Sequence, residues 1–312
     1  MGVIGVGHLG YHHARHYASM DGVQLAGIVD ANPDRARQVT GEFCPGLQFD
    51  SIDTLLNAGI DAASVVVPTS AHCETTMRLL EAGIDVLVEK PIASDIESAE
   101  RMVDAAHAHA RLLQVGHIER FNSAVIALFN TVHRPRFIEC HRMSPYPMRG
   151  QDVSVVLDLM IHDLEILRAL ERSDIVSVDA AGVPVFSPSE DIANARIHFA
   201  SGCVANVTAS RVSLERMRKI RIFEEDAYMS TDYSEQEVRV FRKKKDIPPG
   251  ASPMDCIQME TLPVERREPL RLELESFTQC VRERTRPVVD GEDALAALRL
   301  AQQVLDCIRK CQ

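Results

Sequence analysis

The stretch that decides the fold is Met1-Gly-Val-Ile-Gly5-Val-Gly7-His8-Leu9-Gly10, followed by a helical pattern to about Met20 and an apolar run, Val23–Val29, ending in Asp30. A short strand that runs through G-x-G-x-x-G into a helix is the phosphate-binding turn of a dinucleotide fold. Gly5 permits the tight turn, Gly7 lets the backbone approach a pyrophosphate, and Gly10 lets the helix pack on the strand. The free N–H groups at the helix start favour the phosphate charges, which places His8 and Leu9 in the same cofactor loop. Asp30 lies 20 residues beyond Gly10, where a carboxylate accepts hydrogen bonds from ribose hydroxyls. It also repels a 2′-phosphate, so NAD is expected rather than NADP. Arg35, beyond Pro33 at a helix start, is read as facing solvent.

Strand and helix patterns continue to alternate from this core. Ser51 caps a short helix to Leu56, Ala62–Val67 is a buried strand, and Ser70–Ala82 is a helix stopped by Gly83. Ile84–Val88 is a strand, Ser94–Ala110 a helix opened by a Ser94/Glu97 capping box, and Leu112–Val115 a further strand. Such alternation predicts an α/β fold with a doubly wound parallel sheet, whose ligands lie beyond the strands' C-terminal ends. The loops Pro68–His72, Glu89–Ala93 and Gly116–Asn122 are therefore the ones to inspect, and Pro68, Thr69, His72, Glu89 and Lys90 are candidate cofactor contacts. The first strand is short for a central one, which raises the expectation of residues upstream of Met1.

Length and composition bound the rest. At about 150 residues per domain, the 312 residues imply two domains, read here as 1–120 and 121–312. The net charge of −11 argues against a nucleic-acid surface. No apolar run approaches the roughly 20 residues of a membrane span, and the chain opens into a strand instead of a signal sequence. Eight cysteines without a CxxC pair read as reduced thiols of a cytoplasmic protein. His8, His12, His13 and His16 lack the Asp or Cys that would complete a metal site, so none is expected.

In Glu89-Lys90-Pro91 the proline fixes the turn and the glutamate is positioned to hold the lysine ammonium, which then points at the nicotinamide end of the cofactor. Asp158 and His162, at i and i+4 in an apolar helical stretch, share one face. An imidazole oriented by a carboxylate can take a proton near neutral pH, and oxidising a carbinol needs that partner. The bland alternative is a satisfied polar pair at the core edge.

The glycine loop, Glu89-Lys90-Pro91 and Asp158-x3-His162, in this order and separation, resemble the glucose–fructose oxidoreductase and inositol dehydrogenase family (Gfo/Idh/MocA). The resemblance implies a second domain with a large, mostly antiparallel open-faced sheet. It also implies NAD(P)-dependent oxidation of sugars or cyclitols, with Lys90, Asp158 and His162 as the catalytic group. Val155-Val156-Leu157 departs from the small residues the family often carries there. Gly7–Arg15, Val115–Asn122 and the run from Arg136 to Asp163 further resemble the branch of bacterial UDP-N-acetylglucosamine 3-dehydrogenases. That branch implies a nucleotide-sugar substrate, metabolic pairing with an aminotransferase and a place in lipid A biosynthesis. The alternatives are a dehydrogenase of a free cyclitol or hexose and a non-catalytic NAD-binding regulator, whose mark would be loss of the lysine or histidine.

A diphosphate calls for cations, and Arg142, Arg149 and Arg211 are the candidates. Arg120 and Asn122, with His117 beside them, either line the sugar pocket or cap the next helix. The cluster Arg216, Arg218, Lys219 and Arg221 reads as an exposed strand face paired with Glu224 and Glu225, and Arg242–Lys245 as a solvated turn. Alternating runs at Ile175–Val185, Ala193–Phe199, Cys203–Val212, Ile220–Phe223 and Val238–Phe241 are strands, and Leu270–Glu283 and Glu292–Arg309 are helices. With no helices left for one sheet face, a homodimer or homotetramer through that face is expected.

Overall fold

Six short strands build a parallel sheet in the order β3-β2-β1-β4-β5-β6: β1 (Gly2–Ile4), β2 (Gly27–Val29), β3 (Gln48–Phe49), β4 (Ala62–Val65), β5 (Asp85–Glu89) and β6 (Leu113–Gly116). Between them run α1 (His8–Ser19), α2 (Pro33–Phe43), α3 (Ile52–Asn57), α4 (His72–Glu81) and α5 (Ile96–Ala108). The strand order reverses between β1 and β4, the crevice where such sheets bind ligands. The computed structural model describes residues 1–146, 153–244 and 252–310.

Local chemistry sets the helix starts. Asn32 accepts the N–H groups of Asp34 and Arg35, and Pro33 occupies the first position of α2. Ser51 and Thr54 cap α3 reciprocally. At α5 the expected Ser94/Glu97 box does not form; Asp95 accepts the Ser98 N–H at 2.8 Å instead, and the helix begins one residue later. A carboxylate is a stronger acceptor than a hydroxyl, and its charge suits a helix start. The sequence reading also missed β3, whose two residues carry no alternation.

Contacts divide the chain into two units, Met1–Ile118 with Glu268–Leu298, and Glu119–Arg267 with Arg299–Gln312. The sequence reading leaves everything past 120 in the second domain, whereas Glu268–Leu298 packs with the first. There α8 (Pro269–Glu283) places Leu270, Leu274 and Phe277 in one buried cluster with Val3, Tyr17 and Ile28. The Val115 N–H also bonds the Val289 carbonyl at 3.0 Å.

In the second unit eight strands form one sheet in the order β14-β13-β12-β11-β7-β10-β9-β8: β7 (Phe137–Met143), β8 (Ile175–Val183), β9 (Ile192–Phe199), β10 (Val204–Ser210), β11 (Met217–Phe223), β12 (Ala227–Asp232), β13 (Glu237–Lys243) and β14 (Ile257–Thr261). Among the described residues, only the β7–β10 pairing of this sheet is parallel. Strict alternation buries Ile138, Cys140 and Arg142 of β7 beside Ala205 and Val207 of β10 and Ile220 and Ile222 of β11. α6 (Ser123–Phe129) and α7 (Ile161–Leu170) pack on the sheet, and Cys307 near the end of α9 (Gly291–Lys310) accepts the Ala180 N–H of β8. The other face carries Phe137, Phe223, Tyr228 and Phe241 in direct register across four strands, with ring centroids 4.8–5.9 Å apart. No helix among the described residues is long and apolar enough to cross a membrane.

Candidate active site

The glycine loop has the geometry its spacing demands. Gly5 sits at φ +85°, and a Cβ there would lie 2.5 Å from the Val66 carbonyl oxygen. A Cβ on Gly10 would lie 1.9 Å from the Gly5 oxygen, so α1 can pack on β1 only with glycine at that position. Around Gly7, by contrast, a Cβ would meet nothing within 4 Å, which leaves the loop's outer surface open to a pyrophosphate. His8 is exposed and Leu9 half-buried at the helix start.

Asp30 ties this loop to the end of β2. Its Oδ2 accepts the Val6 N–H at 2.7 Å and its Oδ1 the Asn32 N–H at 2.8 Å. Each oxygen keeps a lone pair for a ribose hydroxyl. Arg35 does not simply face solvent: its Nε donates to the Val6 carbonyl at 2.8 Å, a terminal nitrogen reaches the Gly7 carbonyl at 3.4 Å, and the guanidinium lies 5.4 Å above the Tyr11 ring. One turn of α2 carries the side chain back over the loop, which spacing from Asp30 alone does not reveal.

At the end of β4, Pro68 and Thr69 lead into α4, whose buried His72 lies 3.0 Å from the Val67 carbonyl and 2.9 Å from that of Pro91. The imidazole thus connects the loops after β4 and β5. Glu89, at the end of β5, has its Oε1 3.1 Å from His13 Nε2, and its Oε2 accepts the Lys90 backbone N–H at 3.3 Å. Gly116 leaves room for that carboxylate, since a Cβ there would lie 2.8 Å from it. Lys90 follows, half-buried, on a cis Lys90–Pro91 bond. His13, read from sequence as locally packed, is wholly buried on Glu89.

In the second unit, residues 156–160 form a π turn before α7 begins at Ile161. Asp158 lies within that turn and His162 in the first turn of α7, both half-buried. A π turn takes more residues per revolution than an α turn and re-aims the local backbone, a feature found mostly at functional sites.

Two of the cation candidates, Arg142 and Arg211, meet buried carboxylates. Arg142 is buried; its Nε and a terminal nitrogen grip Asp163 at 2.8 and 3.0 Å, its second terminal nitrogen donates to Glu119 at 2.8 Å, and Tyr233 lies under it. Burial, opposed by Arg142, raises the Asp163 carboxyl above its usual value. Two carboxylates already neutralise Arg142, which weighs against its reading as a diphosphate contact. The alternation of β7, which puts Arg142 on the face of Ile138 and Cys140, was the sequence signal for this. Arg211 is likewise buried, on Asp191 at 2.7 Å. Asn122 caps α6 through Ala124 and donates to the Tyr233 carbonyl, while Arg120 pairs with Glu165 at 2.5 Å and stacks on Phe129. The strand cluster pairs Lys219 with Asp232 and Arg221 with Glu139; Glu224 instead accepts the His133 and Arg134 N–H groups. Arg149 lies outside the described residues, as does Lys245, the end of the basic turn.

Residues 1–117 match the oxidoreductase family with an NAD-binding Rossmann fold, and residues 129–230 match the GFO/IDH/MocA C-terminal domain. The chain is 36 % identical over 305 residues to the UDP-N-acetylglucosamine 3-dehydrogenase of Acidithiobacillus ferrooxidans, covering 97 % of this chain and 95 % of that protein. A solved structure of that dehydrogenase superposes with a TM-score of 0.92 at 35 % identity, over 99 % of this chain and 97 % of that one. The scyllo-inositol 2-dehydrogenase (NAD(+)) of Bacillus subtilis is 28 % identical over 319 residues, 96 % of this chain and 90 % of that protein. With a glycine loop open at Gly7, a carboxylate at the end of β2 and matches in both halves, the chain belongs to the Gfo/Idh/MocA family and is an NAD-binding oxidoreductase.

Proposed function

We propose that the protein oxidises a secondary hydroxyl of a sugar, the 3-hydroxyl of UDP-N-acetylglucosamine, to a ketone. What carries this reading is the 36 % identity over 97 % of the chain to a dehydrogenase of that name, supported by the order and spacing of Lys90, Asp158 and His162 along the sequence. Bound NAD supplies the hydride acceptor. The hydroxyl proton must leave as the carbinol carbon loses its hydride. His162 takes that proton, Asp158 orients the imidazole or holds a neighbouring hydroxyl, and Lys90 hydrogen-bonds the reacting oxygen. An alternative within the same reading gives Lys90 the proton, since an amine and an imidazole both serve as base.

Calorimetric titration with UDP-N-acetylglucosamine, myo-inositol and glucose, each in the presence of NAD, separates this substrate from its rivals. Heat with the nucleotide sugar alone is expected; heat with inositol or glucose and none with the nucleotide sugar transfers the reading to a free cyclitol or hexose. Replacing His162 with Asn should lower kcat by about 10²–10⁴-fold. Near-normal turnover in both His162→Asn and Lys90→Ala would remove these residues from the chemistry.

The same reading includes a homodimer or homotetramer formed through the open sheet face. The four-ring ladder of Phe137, Phe223, Tyr228 and Phe241 supports it, because contiguous aromatic surface is what an assembled face covers.

A further inference from the structure

In the first unit, the interior beneath the end of β5 holds more hydrogen-bond acceptors than donors. Glu273 of α8 is wholly buried, and no N–H or O–H among the described residues reaches either oxygen of its carboxyl group. Gln114 of β6 donates its Nε2 to the main-chain carbonyl of Glu273 at 3.3 Å, while its own Oε1 meets no donor. Tyr17 of α1 spends its hydroxyl on Ser64 Oγ at 2.7 Å. The titratable groups that face Glu273 are Glu89 of β5, whose charge acts on both Glu273 and Tyr17, Tyr17 itself, and His13 bound to Glu89.

An ionised Glu273 would be a second buried carboxylate beside Glu89 with neither cation nor donor. Such a charge is strongly disfavoured in an interior. A proton on Glu273 removes the charge and supplies the donor that the cluster lacks. We propose that Glu273 is a neutral carboxylic acid in the folded protein and donates its proton to the acceptors around it, Glu89 foremost, so that it positions the Glu89-Lys90-Pro91 turn from behind. On its other side the Glu89 carboxylate packs against Gly116, in the space a Cβ would fill. Desolvation, with the Glu89 charge second, acts in the same direction, raising the Glu273 carboxyl well above 4.5.

The protonation state is open to measurement without any substrate, so its test is separate from the assignment of function; only the kinetic arm rests on Lys90 being catalytic. Infrared difference spectra of parent minus Glu273→Gln at neutral pH should show the C=O band of a protonated carboxyl group, absent from the variant. A carboxylate band lost in its place overturns the proposal. A folded carboxyl raised above its unfolded value contributes stability in full below the unfolded value and loses it as pH rises through the folded one. The parent should therefore lose stability relative to Glu273→Gln as pH rises above 4.5, and parallel unfolding of the two across that range overturns the proposal equally. In turnover, Glu273→Leu, which lacks a donor, should lower kcat by on the order of 10- to 100-fold. Glu273→Gln, which keeps one, should restore most of it, and equal impairment of the two variants defeats the positioning role.

Discussion

Arg142 illustrates how a residue is employed by its surroundings. Its guanidinium satisfies two buried carboxylates, Asp163 and Glu119. Removing one partner of such a buried arrangement leaves uncompensated charge, so Arg142→Met should cost about 3–5 kcal/mol in denaturant unfolding. A variant as stable as the parent that binds a nucleotide sugar weakly would return Arg142 to the substrate. Asp30, by contrast, braces the glycine loop by accepting the Val6 N–H, and its remaining lone pairs are free for the ribose contact proposed from its position. Asp30 is legible because the glycine loop and the strand that ends at it belong to one strand–helix–strand unit of regular spacing. Arg142 and Glu273 are harder, because what surrounds their side chains comes from elements that no motif links to them.

Elements were legible where a local signal fixed them, and their ends moved where two local signals competed. Ser94 and Asp95 are both good caps, and the structure uses the carboxylate. Asp95→Ala should therefore destabilise the fold by about 1 kcal/mol and Ser94→Ala by much less, read as the shift in unfolding midpoint. The reverse order would restore the Ser94 box. The turn between β8 and β9 depends on Asp191. Burial opposes its ionisation, yet the Ser187 hydroxyl, the N–H groups of Phe186 and Ser187, and Arg211 hold its carboxyl well below 3.8. A depressed folded value gives stability that is present above the unfolded value and lost as pH falls through the folded one. Asp191→Asn should thus cost about 3–5 kcal/mol near neutral pH, and the difference from the parent should shrink as pH falls below 3.8. A constant difference across that acid range would contradict the assignment.

For the whole molecule, the proposed assembly rests on the open sheet face. Tyr228 stands between Phe223 and Phe241 in the ring ladder, and Phe241 pairs with Met259 at the edge, which is 63 % exposed. A charge at the centre of that ladder would have to be buried in any dimer built on it. Tyr228→Glu should therefore sediment as a monomer where the parent sediments as a dimer or tetramer. An unchanged assembly in the variant would move the interface elsewhere.

The sequence by itself determined the dinucleotide fold, the steric need for glycine at Gly5 and Gly10, the alternating strands of the second sheet and the order of the chemical motifs. All of these depend on steric limits and periodicities that act over a few residues or one strand–helix unit. Only the tertiary structure decided that Glu268–Leu298 returns to the first unit, that Arg142 and Arg211 are neutralised by buried carboxylates, and that a π turn carries Asp158. Whether a charge meets an opposite charge, an acceptor or water depends on which distant segments pack beside it, and no pattern along the chain specifies that.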